Sequence, residues 1–321
     1  MIRLVQVELT RLRWRRAVLL LLLFCIAIPA LVAIGRSWAT RPVSEGDIAS
    51  VIADNQGEVD SCVERPRRYG LPRTAGEEEC EQQVVSWYLY RDELRLADER
   101  VGSGLAVVAV LSALLLLAGT TFAGHDWNSG SMSNQLLFDP RRGRVWTAKA
   151  LAVALVALVM ATVVSVAYWL TLWGVMRWRD LPIADGGLTD SLMYGLRGAG
   201  FATAAALGGY ALTMLFRSTV ATVGVLFGIS VAGGIVLAIL GIGQQWQPQT
   251  NAAAIIENGT TYYVEVPDAC FSRGSFSEPE PNSECDSERE LSAWHGVGYY
   301  GGALLSVAGA SVASFRRRDL P

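Results

Sequence analysis

The sequence predicts an all-α polytopic membrane protein with six transmembrane helices. Hydrophobic residues make up 51% of the 321 residues, and they are gathered into blocks instead of being spread along the chain. Each block is close to the length of about 20 residues that a helix needs to cross a hydrocarbon core of about 30 Å. The six predicted spans are 17–35, 101–123, 148–174, 191–216, 220–242 and 294–314.

The charged residues are sorted between the two faces that six spans would create. One face holds 13 of the 27 basic residues with only four acidic residues, and the other holds 14 basic and 26 acidic residues. The positive-inside rule assigns the basic face to the cytoplasm, which places both termini inside and regions 36–100 and 243–293 outside. The basic-face residues are Arg3, Arg11, Arg13, Arg15, Arg16, Arg141, Arg142, Arg144, Lys149, Arg217, Arg316, Arg317 and Arg318, and the acids beside them are Glu8, Asp126, Asp139 and Asp319.

Residues 1–16 are predicted to form an amphipathic helix in the inner headgroup layer. Ile2, Val5, Leu9 and Leu12 recur at helical spacing, and arginines occupy the other positions. A charged flank of the first span is the alternative. The apolar block 17–35 is longer than the core of about 7–15 residues in a signal peptide, so we expect the chain to keep it as its first span.

Region 36–100 is expected to form a small, acidic extracytoplasmic cap. Helices are predicted at 44–53 and 77–99, and the second is expected to run directly into the second span. Pro66, Gly70, Pro72 and Gly76 interrupt the stretch between them.

Four of the five cysteines fall in the two outer regions, and the fifth, Cys25, lies in the first span. Cysteines that occur in pairs in the outer regions and are absent from the inner loops are typical of a protein whose outer face is in an oxidising compartment. Four cysteines allow three pairings. We predict Cys62–Cys80 and Cys270–Cys285, because each bond closes a short loop and could stabilise it by about 3 kcal/mol. Free thiols are the alternative.

The segment 101–242 holds spans two to five, and its fourth and fifth spans are rich in glycine, which suits either close helix packing or a sliding pathway. Arg197 lies about two turns from the outer end of the fourth span. It is a possible contact for an anionic substrate or lipid headgroup, or it snorkels to the interface or pairs with Asp190. In the outer gate region 243–293, the short apolar stretch 251–256 is either a re-entrant helix or an outer segment. The last segment, 294–321, joins the sixth span to the basic tail.

The sequence contains no catalytic signature. The H-E-x-x-H zinc helix, the G-x-S-x-G elbow and the phosphate-binding G-x-x-x-x-G-K-[ST] loop do not occur, and the only lysine, Lys149, lies in Thr-Ala-Lys-Ala. His125 and His295 fall on opposite faces, so we expect no metal site. No aspartate or glutamate is expected deep within a span, which disfavours an ion-coupled carrier.

The inner loop 124–147 is the most specific segment. Ser131 is predicted to cap a short helix in which Met132, Leu136 and Leu137 face one way, and Asp139-Pro140 would end it. An amphipathic helix of this kind suits a groove on another protein. A solvated connecting loop is the alternative.

This loop resembles that of the permease subunits of type-2 ABC exporters, which carry an acid, Gly-Ser or Gly-Thr, a short Leu-Leu helix, a proline, an Arg-rich turn and a lysine. The end of the chain, from Phe315 to Asp319, is similar to the family's Phe-x-x-Arg-Asp close. The chain departs from the family pattern in having Asp126 where glutamate is usual, and in its long outer insertion after the first span. The matching loop residues are Asp126, Gly130, Ser131, Leu136, Leu137, Pro140, Arg141, Arg142, Arg144 and Lys149.

The resemblance implies a multi-pass permease subunit in a bacterial plasma membrane, which is not an enzyme by itself and binds no cofactor. A second permease subunit, identical or paralogous, and two copies of a P-loop ATPase that carry ATP and magnesium would complete an exporter. A path with few buried charges suits a hydrophobic or amphiphilic substrate such as a lipid, a drug or a peptide antibiotic. Membrane lipid, and not nucleic acid, accounts for arginines next to apolar spans. The residues implied in ATPase coupling are Asp126, Gly130, Ser131, Met132, Leu136, Leu137, Pro140, Arg141, Arg142 and Arg144.

Two other classes of protein stay open at this point. A non-transporting membrane scaffold or sensor would keep the spans and need no ATPase. A secondary carrier would need titratable residues within the spans.

Overall fold

The computed structural model describes residues 1–89, 91–267, 270 and 285–317. The fold is mostly helical, and five helices are long and apolar enough to cross a membrane, which indicates a multi-pass membrane protein. These spans agree with the predicted apolar blocks to within a few residues at most ends. They are α2 (Arg16–Ala39), α6–α7 (Leu96–Asn128, with α6 at Leu96–Glu99 and α7 at Leu105–Asn128), α9 (Arg142–Trp178), α10 (Gly187–Phe216) and α11 (Thr219–Ile239).

The sixth predicted span forms a helix, α13 (Ala293–Arg317), of 25 residues. At about 1.5 Å per residue it is long enough to cross a hydrocarbon core. Its glycines, serines and tyrosines keep its apolar content below that of the other five helices. A count of six spans therefore stays a prediction.

Two short helices lie at the end of the bundle that we call the basic end. The first is α1 (Ile2–Arg13), which agrees with the predicted N-terminal helix, and the second is α8 (Ser131–Phe138). Within the predicted inner loop 124–147, α7 continues to Asn128 and α9 begins at Arg142. Only 129–141 lies between these helices, and α8 occupies most of it.

The cap region folds around its own small core. Its helices are α3 (Glu45–Asp54), α4 (Gln56–Glu64) and α5 (Glu77–Tyr88), with a 3₁₀ turn at Pro66–Tyr69. The prediction that a helix over 77–99 runs into the second span is wrong, since α5 ends at Tyr88 and the next helix begins at Leu96. Val84 on α5 packs in the cap core whereas Leu96 packs in the main core, so the chain has to change direction between them.

The second outer region adds the only departure from an all-α fold among the described residues. Helix α12 (Pro248–Glu257) is followed by strand β1 (Thr260–Tyr263), which pairs antiparallel with β2 (Glu288–Leu291), Thr260 opposite Leu291. Helix α12 contains the stretch 251–256 and packs against α10 and α13. The Tyr300 hydroxyl on α13 donates a hydrogen bond to the Pro248 carbonyl at 2.9 Å. Whether α12 dips into a membrane stays a prediction.

Helix α10 packs at the centre of the bundle, between α7 and α9. Glycine is required where α7 approaches it, because a Cβ on Gly209 would lie 2.5 Å from the Leu116 carbonyl oxygen. Gly209 therefore serves close packing. The glycines of α11 differ, since added Cβ atoms on Gly224 and Gly228 would meet nothing within 4 Å.

Candidate functional site

The basic end is organised around five charged side chains that we call the ion cluster: Glu8, Arg11, Arg15, Asp126 and Lys149. Lys149 Nζ lies 2.8 Å from Glu8 Oε2 and 2.5 Å from Asp126 Oδ2. All three of these side chains are fully buried. Removing charges from water is expensive, and pairing of this quality is what makes their burial tolerable.

Two arginines of the N-terminal segment complete the ion cluster. Arg11 Nη2 lies 3.0 Å from Asp126 Oδ1, and Arg15 pairs with the same oxygen. The charges of Arg15 and Lys149 also lie over the Phe122 ring, 5.2 and 5.4 Å from its centroid. Three cations face two carboxylates, so the ion cluster carries a net charge of +1 when all groups are ionised.

Helix α8 is tied into the ion cluster by side-chain hydrogen bonds. Gln135 Nε2 donates to Glu8 Oε1 at 2.5 Å, and Arg11 Nη1 donates to Gln135 Oε1 at 2.9 Å. Arg11 also donates to the Ser131 hydroxyl. The ion cluster thereby joins four elements, α1, α7, α8 and α9, and a movement of α8 would be passed to the ends of two spans.

The two faces of α8 differ sharply. Met132 and Leu136 are buried, whereas Leu137 is 81% and Phe138 92% exposed. The prediction that Leu137 shares a face with Met132 and Leu136 is wrong. Met132 and Leu136 are one helical turn apart, while Leu137 is rotated about 100° further and points away from the protein. Leu137 and Phe138 form an exposed apolar pair.

The start of α8 also differs from the prediction. Gly130, with φ at 68°, precedes the first turn, and the Ser131 side chain makes no capping bond because it accepts from Arg11 instead. The end of the helix agrees with the prediction, since α8 stops at Phe138, before Asp139 and Pro140. Asp139 Oδ1 accepts the Arg141 backbone N–H at 3.1 Å and so fixes the turn into α9.

The predicted basic segments meet at this end of the bundle. Arg142 Nη1 donates to the Phe315 and Arg316 carbonyls at 3.3 and 3.4 Å, which joins the start of α9 to the end of α13. Arg217, at the turn between α10 and α11, lies over the Trp127 ring at 4.8 Å. The remaining predicted tail residues, 318–321, lie outside the described residues.

Arg197 lies at the opposite end and does not pair with Asp190 as one alternative predicted. Its Nη1 donates to the Ile256 carbonyl at 3.1 Å, at the end of α12, while Asp190 is 3.9 Å from Arg100. A last-turn carbonyl of a helix lacks an intrahelical partner, so the guanidinium satisfies it. Arg197 also lines a cavity of about 440 Å³ with Phe201 and apolar residues of α13.

Both predicted cysteine pairs are within disulfide distance. The Sγ atoms of Cys62 and Cys80 are 2.01 Å apart, and those of Cys270 and Cys285 are 2.05 Å apart. The first bond lies in the cap core. Cys25 is free and buried.

Sequence reasoning missed the central role of Glu8. Its signal was present, because Glu8 lies three residues after Val5 and four before Leu12, on the apolar face of α1. Asp126, which the sequence places in the inner loop, is fully buried in the last turn of the helix that ends at Asn128. At the opposite end of that helix, Glu99 is buried and bound by Arg36 at 2.6 Å.

No family model, no curated protein and no solved structure matches this chain.

Proposed function

We propose that this chain is the membrane-spanning permease subunit of an ATP-driven exporter of hydrophobic or amphiphilic substrates. The observation that carries the proposal is the construction of α8. One face of α8 is bonded into the buried ion cluster, and the other presents Leu137 and Phe138 to the surroundings. An exposed apolar pair on a short helix is suited to anchor in a groove of a partner protein.

A coupling role requires that movement of α8 reaches the spans. The bonds from Gln135 to Glu8 and from Lys149 to Glu8 and Asp126 supply that connection in two steps. A partner that binds α8 differently with and without ATP would then shift the balance between two arrangements of the spans. In this proposal ATP and magnesium are bound by a P-loop ATPase on the cytoplasmic side, because the sequence has no phosphate-binding loop of its own.

Helix α11 supports the involvement of a second membrane subunit. Its apolar side chains are exposed along most of its length, including Val220, Phe227 and Ile239. Gly224 and Gly228 are spaced as in the small-xxx-small packing of membrane helices, and a Cβ added to either would meet no atom of the described residues within 4 Å. A second permease, identical or paralogous, would cover this face, with α13 as the sixth span.

The cavities favour an apolar or amphiphilic cargo. A groove of about 770 Å³ runs between α2 and α9, lined by side chains such as Ile26, Leu155 and Val163. The cavity beside Arg197 combines an apolar lining with one guanidinium, which suits a molecule with an anionic head.

The test compares aspartate substitutions on the two sides of α8. The double variant Leu137→Asp/Phe138→Asp should fold, because both side chains are exposed, but should lose co-purification of a P-loop ATPase and ATP hydrolysis in proteoliposomes. Asn134→Asp is the matched control, since Asn134 is exposed on the same helix, and it should keep both activities.

Leu136→Asp should instead impair folding, because Leu136 is buried. Unchanged ATPase assembly and hydrolysis in the double variant would refute a docking role for α8. A folded wild-type protein that neither binds nor stimulates any P-loop ATPase would favour the scaffold or sensor alternative.

A further inference from the structure

The helix of the second span changes its geometry near the end that joins the cap. Residues Arg100–Gly104, between α6 and α7, form a π turn, whose backbone hydrogen bonds join residues five apart instead of four. No other π turn occurs in the described part of the chain. Such turns are mostly single bulges inside α-helices, frequently at functional positions, and each holds one residue more than an α turn.

Four side chains, which we call the cap-end latch, tie this turn to two neighbouring spans. They are Arg36, Glu99, Ser103 and Tyr168. Arg36 of α2 donates to Glu99 Oε1 from Nε at 2.8 Å and from Nη2 at 2.6 Å. Ser103 donates to Glu99 Oε2, and Tyr168 of α9 donates to Ser103 Oγ at 2.6 Å. Since Glu99 precedes the turn and Ser103 lies inside it, the cap-end latch fixes the turn in its present form.

The two glycines of the π turn differ in what surrounds them. A Cβ on Gly104 would lie 2.8 Å from Trp169 Cζ2, so packing of the Trp169 ring requires a glycine there. A Cβ on Gly102 would meet no atom of the described residues within 4 Å, so packing among these residues does not require that glycine. Glycine gives the backbone more conformational freedom than any other residue, and Gly102 therefore leaves the turn able to rearrange.

The π turn lies between two parts of the fold that are held by different contacts. Beyond the turn, α7 packs against α10 and is anchored by Asp126 in the ion cluster. Before the turn, the chain is bonded to the cap, because Arg91 Nη1 lies 3.0 Å from Asp47 Oδ2 of α3. Leu96 packs in the main core and so favours the present arrangement. A rearrangement of the turn would move the cap relative to the spans.

We propose that the π turn is a hinge that orients the cap on the bundle, and that the cap-end latch holds this hinge closed. When the latch opens, the extra residue of the turn passes into regular α-helix. The segment before the turn, with Glu99 and Leu96, then rotates by about 100°, the angle that one residue adds to an α-helix. Glu99 does not face Arg36 after this rotation, so the closed latch and the rotated segment exclude one another. The proposal does not depend on the transport function.

The experiment measures the distance between two nitroxide labels on the purified full-length chain in lipid nanodiscs by electron paramagnetic resonance. The labels are placed at Ala97→Cys, before the turn, and at Leu170→Cys on α9, because both native residues are exposed. The native chain should give one distance. The variant Glu99→Gln/Ser103→Ala should add a second distance, shifted by up to about 8 Å for a helix of about 10–12 Å diameter. The variant weakens two charge-assisted hydrogen bonds, so the ratio of the second to the first distance should rise about 100-fold.

The matched control makes the same two kinds of change outside the cap-end latch. Glu93→Gln/Ser112→Ala removes an exposed carboxylate near the turn and a hydroxyl of α7 that donates to the Val108 carbonyl, and it should keep the single distance. Folding of each variant, without the introduced cysteines, is checked by the temperature at which the buried Cys25 thiol becomes reactive. If the test variant does not fold, Tyr168→Phe takes its place, with an expected rise of about fivefold.

Deletion of Gly102 separates hinge motion from local unfolding. Without the extra residue the turn becomes regular α-helix with Glu99 still in place, so the second distance of the test variant should disappear. A second distance that persists after the deletion would show local unfolding and overturn the proposal. A single distance in the folded test variant, or the same second distance in the control, would overturn it as well. A deletion variant that does not fold would also overturn it, because the two sides of the turn would then not fit one α-helix.

Discussion

Replacement of Lys149 by methionine tests whether the ion cluster holds the basic end together. Methionine has a similar length, so the change removes a charge with little change in volume. It withdraws the ammonium that lies 2.8 Å from Glu8 Oε2 and 2.5 Å from Asp126 Oδ2. Removing one partner of a fully buried ion pair costs about 3–5 kcal/mol, because the other charge stays behind without compensation.

The two carboxylates are not affected equally. Asp126 keeps Arg11 and Arg15 on its other oxygen, whereas Glu8 keeps Gln135 and a longer contact of 3.3 Å to Arg11. Most of the loss therefore falls on Glu8. The double variant Glu8→Gln/Lys149→Met neutralises that carboxylate and should recover about 1–3 kcal/mol, the usual coupling between residues in contact.

Cys25 supplies the assay. It is fully buried and free, while the other four cysteines are bonded in pairs, so a thiol-reactive fluorophore reports unfolding of the first span. At about 2 °C per kcal/mol for a chain of this size, the labelling midpoint of Lys149→Met should fall by about 6–10 °C. Arg13→Met removes one exposed positive charge at the same end of the bundle, and its midpoint should stay within about 1 °C.

Two results would refute this reasoning. The first is a labelling midpoint for Lys149→Met that equals that of Arg13→Met, because loss of a buried ion pair has to lower the stability more than loss of an exposed charge. The second is a double variant Glu8→Gln/Lys149→Met that is less stable than Lys149→Met alone. Neutralising the carboxylate that has lost its partner should raise the stability.

Three further outcomes are expected. Lys149 is the only lysine, so a succinimidyl ester should leave its peptide unmodified in the folded protein and modify it after unfolding; labelling of the folded protein would contradict its burial. Loss of the Cys62–Cys80 bond, which spans 18 residues, should destabilise the cap by about 3 kcal/mol and leave the labelling midpoint of the spans unchanged, because the cap has its own core. Limited proteolysis should then cut within the cap, and an equally protected cap would count against this. Arg91 holds the pKa of Asp47 well below its usual range. The pKa of Asp47 is lower in the folded chain than in the unfolded chain. The ionised carboxylate therefore adds its full share to the stability of the folded cap above the ordinary aspartate pKa of about 3.9, and this stabilisation is lost as the pH falls below that value. Hydrogen exchange should show helix α3 losing protection as the pH falls from about 4 to about 2 in the native chain but not in Asp47→Asn, and equal losses would exclude the effect.

The spans could be predicted because apolar composition dictates them. A block of leucines and valines such as 17–35 has no other stable arrangement in a membrane than a helix, and the structure forms Arg16–Ala39 there. Helix ends were less predictable. The helix that contains the third predicted span begins at Arg142, six residues before the apolar block, because polar residues at a helix end extend the helix without adding to the apolar block.

The ion cluster could not be predicted in full, because tertiary packing sets its pairs. Glu8 and Lys149 are 141 residues apart, and Arg11 and Asp126 are 115 apart. The sequence shows each charge but not which charges meet. The split of the Leu136-Leu137 pair had the same cause, since the docking of α8 through Gln135 and Ser131 fixes its rotation, and a periodic pattern alone leaves that rotation free.

The use of lysine at position 149 follows from the geometry of the ion cluster. Arginine supplies the other 26 of the 27 basic residues, including those on the surface of the basic end. The site between Glu8 and Asp126 is fully enclosed and is approached by carboxylates from two different helices. A compact ammonium with freely rotating donors can bond both carboxylates at once, whereas a planar guanidinium presents its donors in a fixed fork and needs more space. The chain therefore places a compact point charge between Glu8 and Asp126, and the planar guanidinium groups of Arg11 and Arg15 bind Asp126 from the N-terminal segment.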